Sequence, residues 1–280
     1  MVVQSKTWGV IMSTHLEILR SLQVLIGYRG RLFEGVMYDI RTRYIGSALG
    51  SLWVFLFPLF QLCIYAGLYT LIFKIRVPGL SEMGYVLLVF SGLVPLMAFN
   101  AALSASTSSL LSNKNLLLNT VSPAELIPIR AALSEHMPSL VGLTITLILG
   151  YALGQTSWQA ILLVPVFWVL LLMFAMGIGW MLSLFSLVAK DIQHGLGLVL
   201  MLFFVLSPFA YTPEMVPAAL KPLVYMNPLS YFVLTFQQLI CYGTWPDSIA
   251  AGGAVVLGVG TFFTGFIVFQ RTKYIFFDYA

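Results

Sequence analysis

The residues that could carry covalent chemistry are few in this sequence. Glu214 and Asp247 form the acidic pair that an integral-membrane transferase would need at one face of the membrane, where carboxylates serve as general acid and base. Other catalytic patterns are missing: no lysine follows a glycine, none of the three histidines begins a His-Glu-x-x-His motif, and no Gly-x-Ser-x-Gly is present. We therefore predict no catalytic residue, no metal site and no cofactor held by this chain.

Polar side chains recur at helical spacing within otherwise apolar stretches. Gln61, Tyr65 and Tyr69 follow one another at four-residue steps, so they share one slowly drifting face of a helix. Hydroxyl and amide groups in an apolar medium need partners, so this face should meet protein or a wet cavity. A tyrosine has a flat apolar face and a polar tip, which suits the lining of a path for a sugar chain. Ordinary packing between helices is the alternative.

A second polar stripe contains Asn100, Ser104, Thr107 and Ser108. Small polar residues of this kind also hold membrane helices together, and we favour that interpretation for this stripe. If both stripes instead face one common path, its predicted lining consists of Gln61, Tyr65, Tyr69, Asn100, Ser104, Phe203 and Tyr211.

The composition requires a membrane. Hydrophobic residues make up 60% of the 280 residues and charged residues 9%, whereas soluble domains carry about 25% charged residues. The apolar runs are continuous and not alternating, which favours spanning helices over strands. The net charge of +4 comes from basic residues dispersed between these runs, so we attribute it to topology and predict no nucleic-acid binding. The predicted fold class is an all-α integral membrane protein.

Six apolar stretches are long enough to cross about 30 Å of hydrocarbon, for which about 20 residues suffice. They predict transmembrane helices over 46–73, 84–111, 137–154, 160–189, 195–211 and 250–269. The last of these contains Ala250, Ala254, Gly258 and Gly265, small residues that favour close helix packing. No span has an acidic residue near its middle, where a proton-coupled transporter would place one, so energy must come from outside the chain.

The basic residues predict the orientation of these helices. Eleven of the 14 Lys and Arg residues fall on the side of both termini, and Lys74, Arg76 and Lys221 fall on the other side. The positive-inside rule therefore places both termini in the cytoplasm. We divide the chain into an N-terminal segment (1–45), a membrane domain (46–270) and a cytoplasmic tail (271–280).

An amphipathic helix is predicted at the membrane surface, directly before the first span. At about 100° per residue, one of its sides is apolar. Arg41 and Arg43 flank that side, so their guanidinium groups should reach lipid phosphate while their stems lie on hydrocarbon. The apolar side consists of Phe33, Val36, Met37, Ile40 and Tyr44.

Two connections between spans are more than turns. The inner loop, 112–135, holds apolar segments that are too short to span and are broken by Pro123 and Pro128, which suits contact with a soluble partner. The outer segment, 212–247, holds five prolines and two predicted short helices, 214–225 and 229–242. A water-exposed loop would not bury Phe232 and Phe236, so we predict a re-entrant helical hairpin in the outer leaflet.

Three stretches of this sequence resemble one known family, the permeases of ABC exporters that move polysaccharide. That family includes exporters of O-antigen, capsule and teichoic acid. The stretches are Asp39-Ile-Arg-Thr-Arg-Tyr44 followed by Gly46-Ser-Ala-Leu-Gly50, Leu52-Trp53 and Pro58; Asn113-Lys-Asn-Leu-Leu117; and Asn227-Pro-Leu229.

The resemblance implies that two copies of the chain form a conduit and that two copies of a cytoplasmic ATP-binding subunit drive it, with ATP and Mg²⁺ held by that subunit. Its cargo would be a lipid-linked polysaccharide, with O-antigen preferred over capsule or teichoic acid, exported across the bacterial inner membrane. The gate helices at the outer mouth would include Tyr225, Asn227, Pro228 and Tyr231. The coupling helix, seated in a cleft of the ATPase, would use Asn115, Leu116, Leu117, Val121, Pro123, Glu125 and Arg130.

Two hypotheses of other kinds stay open at this point. One is an integral-membrane transferase that acts on lipid-linked sugars and uses the acidic pair Glu214 and Asp247. The other is an ion-coupled lipid flippase, which the lack of acidic residues within the spans disfavours. An ATPase encoded beside this chain would support the exporter, and a lone gene would support the other two.

Overall fold

Helices account for nearly all of the described chain. The computed structural model describes residues 27–72, 77–114 and 123–277. These ranges contain no β-strand, which confirms the all-α prediction. The α-helices in them are α1 (Arg29–Thr42), α2 (Trp53–Gly67), α3 (Glu82–Ser112), α4 (Leu126–Ala152), α5 (Trp158–Val188), α6 (Asp191–Leu206), α7 (Lys221–Met226), α8 (Pro228–Ile240) and α9 (Ser248–Phe277).

Five of the six predicted spans are confirmed as helices long and apolar enough to cross a membrane. They are α2 with the 3-10 turn before it (Gly50–Gly67), α3, α4, α5 and α9. The third begins earlier than predicted, at Leu126, so residues 126–135 of the predicted inner loop belong to α4. The predicted span 195–211 is occupied by α6, which has 16 residues and ends at Leu206. At 1.5 Å per residue α6 is about 24 Å long, shorter than the ~30 Å hydrocarbon core, so the sixth span stays a prediction.

The central helix of the bundle is α3, which packs against α4, α5 and α8. Most of its side chains are buried, with Tyr85, Leu87 and Phe99 all but inaccessible, and one face that includes Ser104 stays open. A helix that is apolar all round fits the centre of a bundle. In contrast, α2 exposes large apolar side chains such as Phe60 and Ile64, so it lies at the periphery of this protomer.

The helices α5 and α9 approach so closely that their backbones touch. A methyl group on Gly177 would overlap the carbonyl of Thr261, and one on Gly265 would overlap the carbonyl of Gly177. A methyl group on Gly258 would stand 2.7 Å from the carbonyl oxygen of Leu170. Close packing by the small residues of the last span is therefore confirmed.

The two ends of the bundle are built differently. The ionic end, as we call it, brings together α1, the end of α3, the start of α4 and the end of α9. The capped end brings together the start of α3, the turn between α4 and α5, the segment 207–247 and the start of α9.

At the capped end, side chains donate hydrogen bonds to backbone carbonyls at helix ends and in non-helical stretches. These carbonyls have no partner within a helix, and leaving them bare in an apolar region would be unfavourable. Because the side chains satisfy them, the irregular chain can lie against the helices. The bonds join Thr156 Oγ1 to Ile240 O, Ser157 Oγ to Gly243 O, Tyr85 Oη to Ala210 O and Gln237 Nε2 to Pro208 O, at 2.6, 2.7, 2.9 and 2.9 Å.

The outer segment 212–247 forms two helices, as expected, but with different lengths. The second predicted piece is confirmed by α8. The first, 214–225, was wrong in extent: a 3-10 turn covers Pro213–Met215 and only α7 follows. Pro217 lies inside the predicted piece, and proline breaks a helix because it lacks an N–H and clashes with the preceding turn, whereas Pro222 is tolerated in the first turn of α7. The apolar face of α8 packs on α3, α5 and α9, so re-entry into the bilayer stays a prediction.

Candidate translocation cavity and coupling face

A cavity of about 610 Å³ lies between α2, α3 and α4. Three residues of the predicted path, Gln61, Asn100 and Ser104, line it together. The two polar stripes of the sequence therefore meet in one space, although the second was assigned to packing. The wall also includes Tyr44, Trp53, Phe57, Pro58, Phe90, Leu93, Met97, Ser139 and Phe204.

The amide of Asn100 gives this cavity an unused acceptor. Its Oδ1 is buried and makes no hydrogen bond to any described residue. A buried polar atom left without a partner costs about 1–3 kcal/mol, so a small shift of the wall that brought a ligand's hydroxyl or N–H group to this atom would be favourable. The cavity can thus hold a largely apolar ligand with some polar groups.

The other predicted path residues do not line this cavity. Tyr65 and Tyr69 stack with ring centroids 6.3 Å apart, and Tyr69 meets the edge of Tyr85 at 6.2 Å. The carbonyl of Phe203 accepts a hydrogen bond from Asn227, and Tyr211 donates from Oη to the carbonyl of Leu206 at 2.7 Å. Tyr65 and Tyr69 therefore extend toward α3, while Phe203 and Tyr211 belong to the capped end.

At the ionic end, two reciprocal ion pairs fix α1 to α4. Arg43, the residue directly after α1, donates two hydrogen bonds to Glu135 of α4, at 2.6 and 2.9 Å. Arg130 of α4 donates two to Asp39 of α1, at 2.7 and 2.5 Å, and Ser134 adds a third donor at 3.2 Å. Each helix thus supplies one cation and one anion, which sets the register between them.

The pairing changes the interpretation of the surface helix. Arg43 was expected to reach lipid phosphate, but its guanidinium group is held by Glu135. Arg41 is exposed and free to meet a membrane surface, and Tyr44 lines the cavity. The four charged side chains of the two pairs keep 30–32% of their surface exposed, so each pair contributes at most about 1 kcal/mol.

Glu125 joins the inner loop to the last helix. The residue is 5% exposed, and its carboxylate accepts hydrogen bonds from Gln270 at 2.7 Å and from Lys273 at 3.3 Å. The indole N–H of Trp180 donates to its backbone carbonyl at 3.0 Å. Glu125 was expected to contact a soluble partner, and the structure instead buries it between α4, α5 and α9.

The remaining predicted coupling residues fall into two groups. Asn115, Leu116, Leu117 and Val121 lie outside the described residues. Pro123 precedes the start of α4, and Arg130 forms the ion pair with Asp39.

The predicted gate residues lie at the start of α8, and hydrogen bonds from one of them join α8 to the end of α6. Asn227 is 2% exposed; its Oδ1 accepts from the backbone N–H of Leu229, which caps α8, and its Nδ2 donates to Phe203 O and Ser207 Oγ. Pro228 is the first residue of α8, a position where the missing N–H is harmless. Tyr231 donates from Oη to the carbonyl of Tyr225 at 3.0 Å.

Of the two carboxylates weighed for a transferase, that of Asp247 already makes a structural contact. Asp247 Oδ2 accepts from the backbone N–H of Ile249 at 3.1 Å, which caps the start of α9. Within the described ranges, no three His, Cys, Asp or Glu side chains stand close enough to hold a metal ion.

Comparison with known protein families decides the class of this bundle. The model of the ABC-2 type transporter family matches residues 33–241. The chain belongs to the ABC-2 type transporter family. The matched region of this ABC-2 chain begins in α1 and ends directly after α8, so it contains the first cavity, the two ion pairs that join α1 to α4 and most of the capped end.

Named relatives match this ABC-2 chain over most of its length. An O-antigen export system permease protein from Myxococcus xanthus is 26% identical over 82% of the chain and 88% of its own length. One from Klebsiella pneumoniae is 26% identical over 84% of the chain and 89% of its own length. A polysialic acid transport protein from Escherichia coli is 23% identical over 84% of the chain and 90% of its own length.

Proposed function

We propose that this ABC-2 chain is the membrane-spanning subunit of an ATP-driven exporter that moves lipid-linked polysaccharide out of the cytoplasm. Two copies enclose the path, and two copies of a separate subunit bind and hydrolyse ATP with Mg²⁺. The observation that carries the proposal is the position of the Arg43–Glu135 pair, which lines the 610 Å³ cavity and also joins α1 to α4. Force applied at the ionic end therefore acts directly on the wall of the cavity.

O-antigen is the cargo we propose ahead of capsule or teichoic acid. The O-antigen permeases share 26% identity with the chain and the polysialic acid transporter 23%. The cavity suits a carrier lipid with attached sugar, because its wall is mostly apolar and Asn100 offers an unused acceptor.

The orientation we propose places the ionic end in the cytoplasm of a bacterial inner membrane. Eleven of the 14 basic residues then lie inside, and both termini with them. In this orientation α6 with the residues after it forms the sixth crossing, α1 lies on the inner surface, and the segment 212–247 dips into the outer leaflet.

The mechanism follows from the contacts of the ionic end. Closure of the ATPase subunits pushes on the inner loop, whose residue Glu125 holds α9 through Lys273. The movement passes along α4 to α1 through the pairs of Arg130 and Arg43. The helices move as rigid bodies, and the cavity between α2, α3 and α4 opens or closes.

The test is reconstitution of the purified chain with the ATPase encoded beside it. We expect copurification, ATP turnover and ATP-dependent movement of glycolipid across liposomes. Leu116→Asp with Leu117→Asp, in the predicted coupling helix, should abolish copurification, while Leu153→Asp at the exposed turn between α4 and α5, at the opposite end of the bundle, should not. Movement of glycolipid on an ion gradient by the chain alone would overturn the proposal.

A further inference from the structure

A second cavity, of about 440 Å³, lies at the capped end between the Pro213–Met215 turn, α8 and the start of α9. Its volume falls in the range of about 300–1,000 Å³ that small-molecule sites occupy. It is separate from the first cavity, with which it shares no lining residue. Nothing in the proposed path or coupling face uses it.

The lining of this cavity combines aromatic rings with uncharged and acidic polar groups. Tyr225 and Tyr242 are each 43% exposed, so their rings are open to a ligand. Glu214 and Gln238 bring a carboxylate and an amide to the same wall. A tyrosine ring packs on an apolar face while carboxylate and amide groups accept and donate hydrogen bonds, which suits the mixed apolar and hydroxylated faces of a sugar.

Other ligand classes fit the lining less well. No Lys or Arg of the described ranges lines this cavity, and its carboxylates repel a phosphate. Calcium takes six to eight oxygen ligands, whereas this wall offers the carboxylates of Glu214 and Asp247, and Asp247 already caps α9. The lining is therefore matched to a neutral, hydroxyl-rich molecule.

Buried contacts hold the cavity wall in place. Gln237 is 2% exposed and its Nε2 donates to Pro208 O at 2.9 Å, which ties α8 to the chain that follows α6. Gln238 Oε1 accepts from the backbone N–H of Asp247 at 2.8 Å, which ties α8 to the start of α9. A wall fixed in this way loses little conformational entropy when a ligand binds.

We propose that the second cavity binds a short segment of the exported saccharide. The inference rests on the proposed function, in which the capped end faces outward. The sugar chain is then held at the outer face after it leaves the conduit, with Tyr225 and Tyr242 as the stacking surfaces and Glu214 and Gln238 as hydrogen-bond partners.

The experiment measures saccharide binding to the complex of this chain with its ATPase in lipid nanodiscs. The probe is the oligosaccharide released by mild acid from the surface polysaccharide of the host bacterium, followed by saturation-transfer NMR. We expect Tyr242→Ala and Tyr225→Ala each to weaken binding about tenfold, equivalent to about 1.4 kcal/mol. Glu214→Gln should weaken it severalfold.

A matched control is Tyr151→Ala, because Tyr151 lies at the same end of the bundle, outside this cavity, and hydrogen-bonds to Ser157 O. It should bind the saccharide as the unmodified chain does. Equal binding by the Tyr242→Ala and unmodified complexes, or displacement of the saccharide by inorganic phosphate or by Ca²⁺, would overturn the inference. ATP-driven transport is measured on the same samples, so a failure of the proposed function shows itself separately as absent transport by the unmodified complex.

Discussion

The ionic end and the capped end solve the same problem, holding helices together near a membrane surface, with different chemistry. Three ion pairs among the described residues lie at the ionic end: Arg43–Glu135, Arg130–Asp39 and Lys273–Glu125. The capped end uses hydroxyl and amide groups that donate to backbone carbonyls. Two of the ion pairs are a third exposed and can break and reform in water, whereas the carbonyl contacts fix irregular chain. The contrast fits the proposed mechanism, in which the ionic end moves and the capped end stays rigid.

The largest effect is expected from Lys273→Met, which leaves the carboxylate of Glu125 buried without its cation. Removal of one partner of a buried pair destabilises by about 3–5 kcal/mol, so the thermal unfolding temperature of the detergent-solubilised chain should fall sharply. Adding Glu125→Gln should restore most of the lost thermal stability, because no buried charge remains. Lys221→Met, at an exposed lysine of the capped end, is the control and should change nothing. An unchanged unfolding temperature in Lys273→Met would show that Glu125 is not held by this pair.

A smaller loss is expected from Gln237→Leu at the capped end. The change removes the donor to the carbonyls of Pro208 and Phe209, and an unsatisfied buried carbonyl costs about 1–3 kcal/mol. Thermal unfolding measures the loss, with Thr264→Val as the control, since Thr264 is exposed and bonds only within its own helix. A Gln237→Leu chain as stable as the control would mean that these carbonyls find other donors.

Charge reversal at the α1–α4 contact should affect coupling more than stability. Glu135→Arg places two cations together, and we expect a loss of about 1 kcal/mol or less, because the pair is a third exposed. The amount of glycolipid moved per ATP hydrolysed should nevertheless fall. The double change Arg43→Glu with Glu135→Arg should restore the amount of glycolipid moved per ATP. If the double variant moves no more than the single one, this pair does not take part in coupling.

The smallest effect is the response to salt. Raising NaCl from about 0.05 M to about 1 M shortens the Debye length from over 10 Å to about 3 Å, which weakens exposed ion pairs. The stability difference between Glu135→Gln and the unmodified chain should therefore shrink at high salt. The difference caused by Gln237→Leu should stay constant, since no charge takes part. Equal salt dependence at both ends would contradict the distinction between them.

Much of the fold could be predicted from the sequence, because long apolar runs leave little choice but a helix. The extent of 214–225 was not predicted, because the predicted helix ran across Pro217, which has no backbone N–H to donate. The end of α6 was also predicted wrongly: the run of apolar residues continues to Tyr211, whereas the helix ends at Leu206.

The candidate site was predicted only in part. Periodicity indicated that Gln61 shares a face with Tyr65, but not that Gln61 would line a cavity with Asn100 while Tyr65 would stack on Tyr69. The partners of Arg130 and Glu125 lie 91 and 148 residues away in the chain. Such pairs are set by how the helices pack, which spacing within one helix does not encode. Asp39 and Arg43 are four residues apart and share one face of a helix, but Arg130 and Glu135 are five apart, so spacing alone did not point to a matching face on α4.

The backbone contact between α5 and α9 limits how force crosses the membrane. Where Gly177 and Gly265 meet, backbone lies directly on backbone, so any larger residue at either position would force the two helices apart. The helix α9 runs from Ala250 in the wall of the second cavity, through this contact, to Lys273 at the ionic end. A rigid-body shift of α5 together with α9 would therefore reach both ends of the bundle.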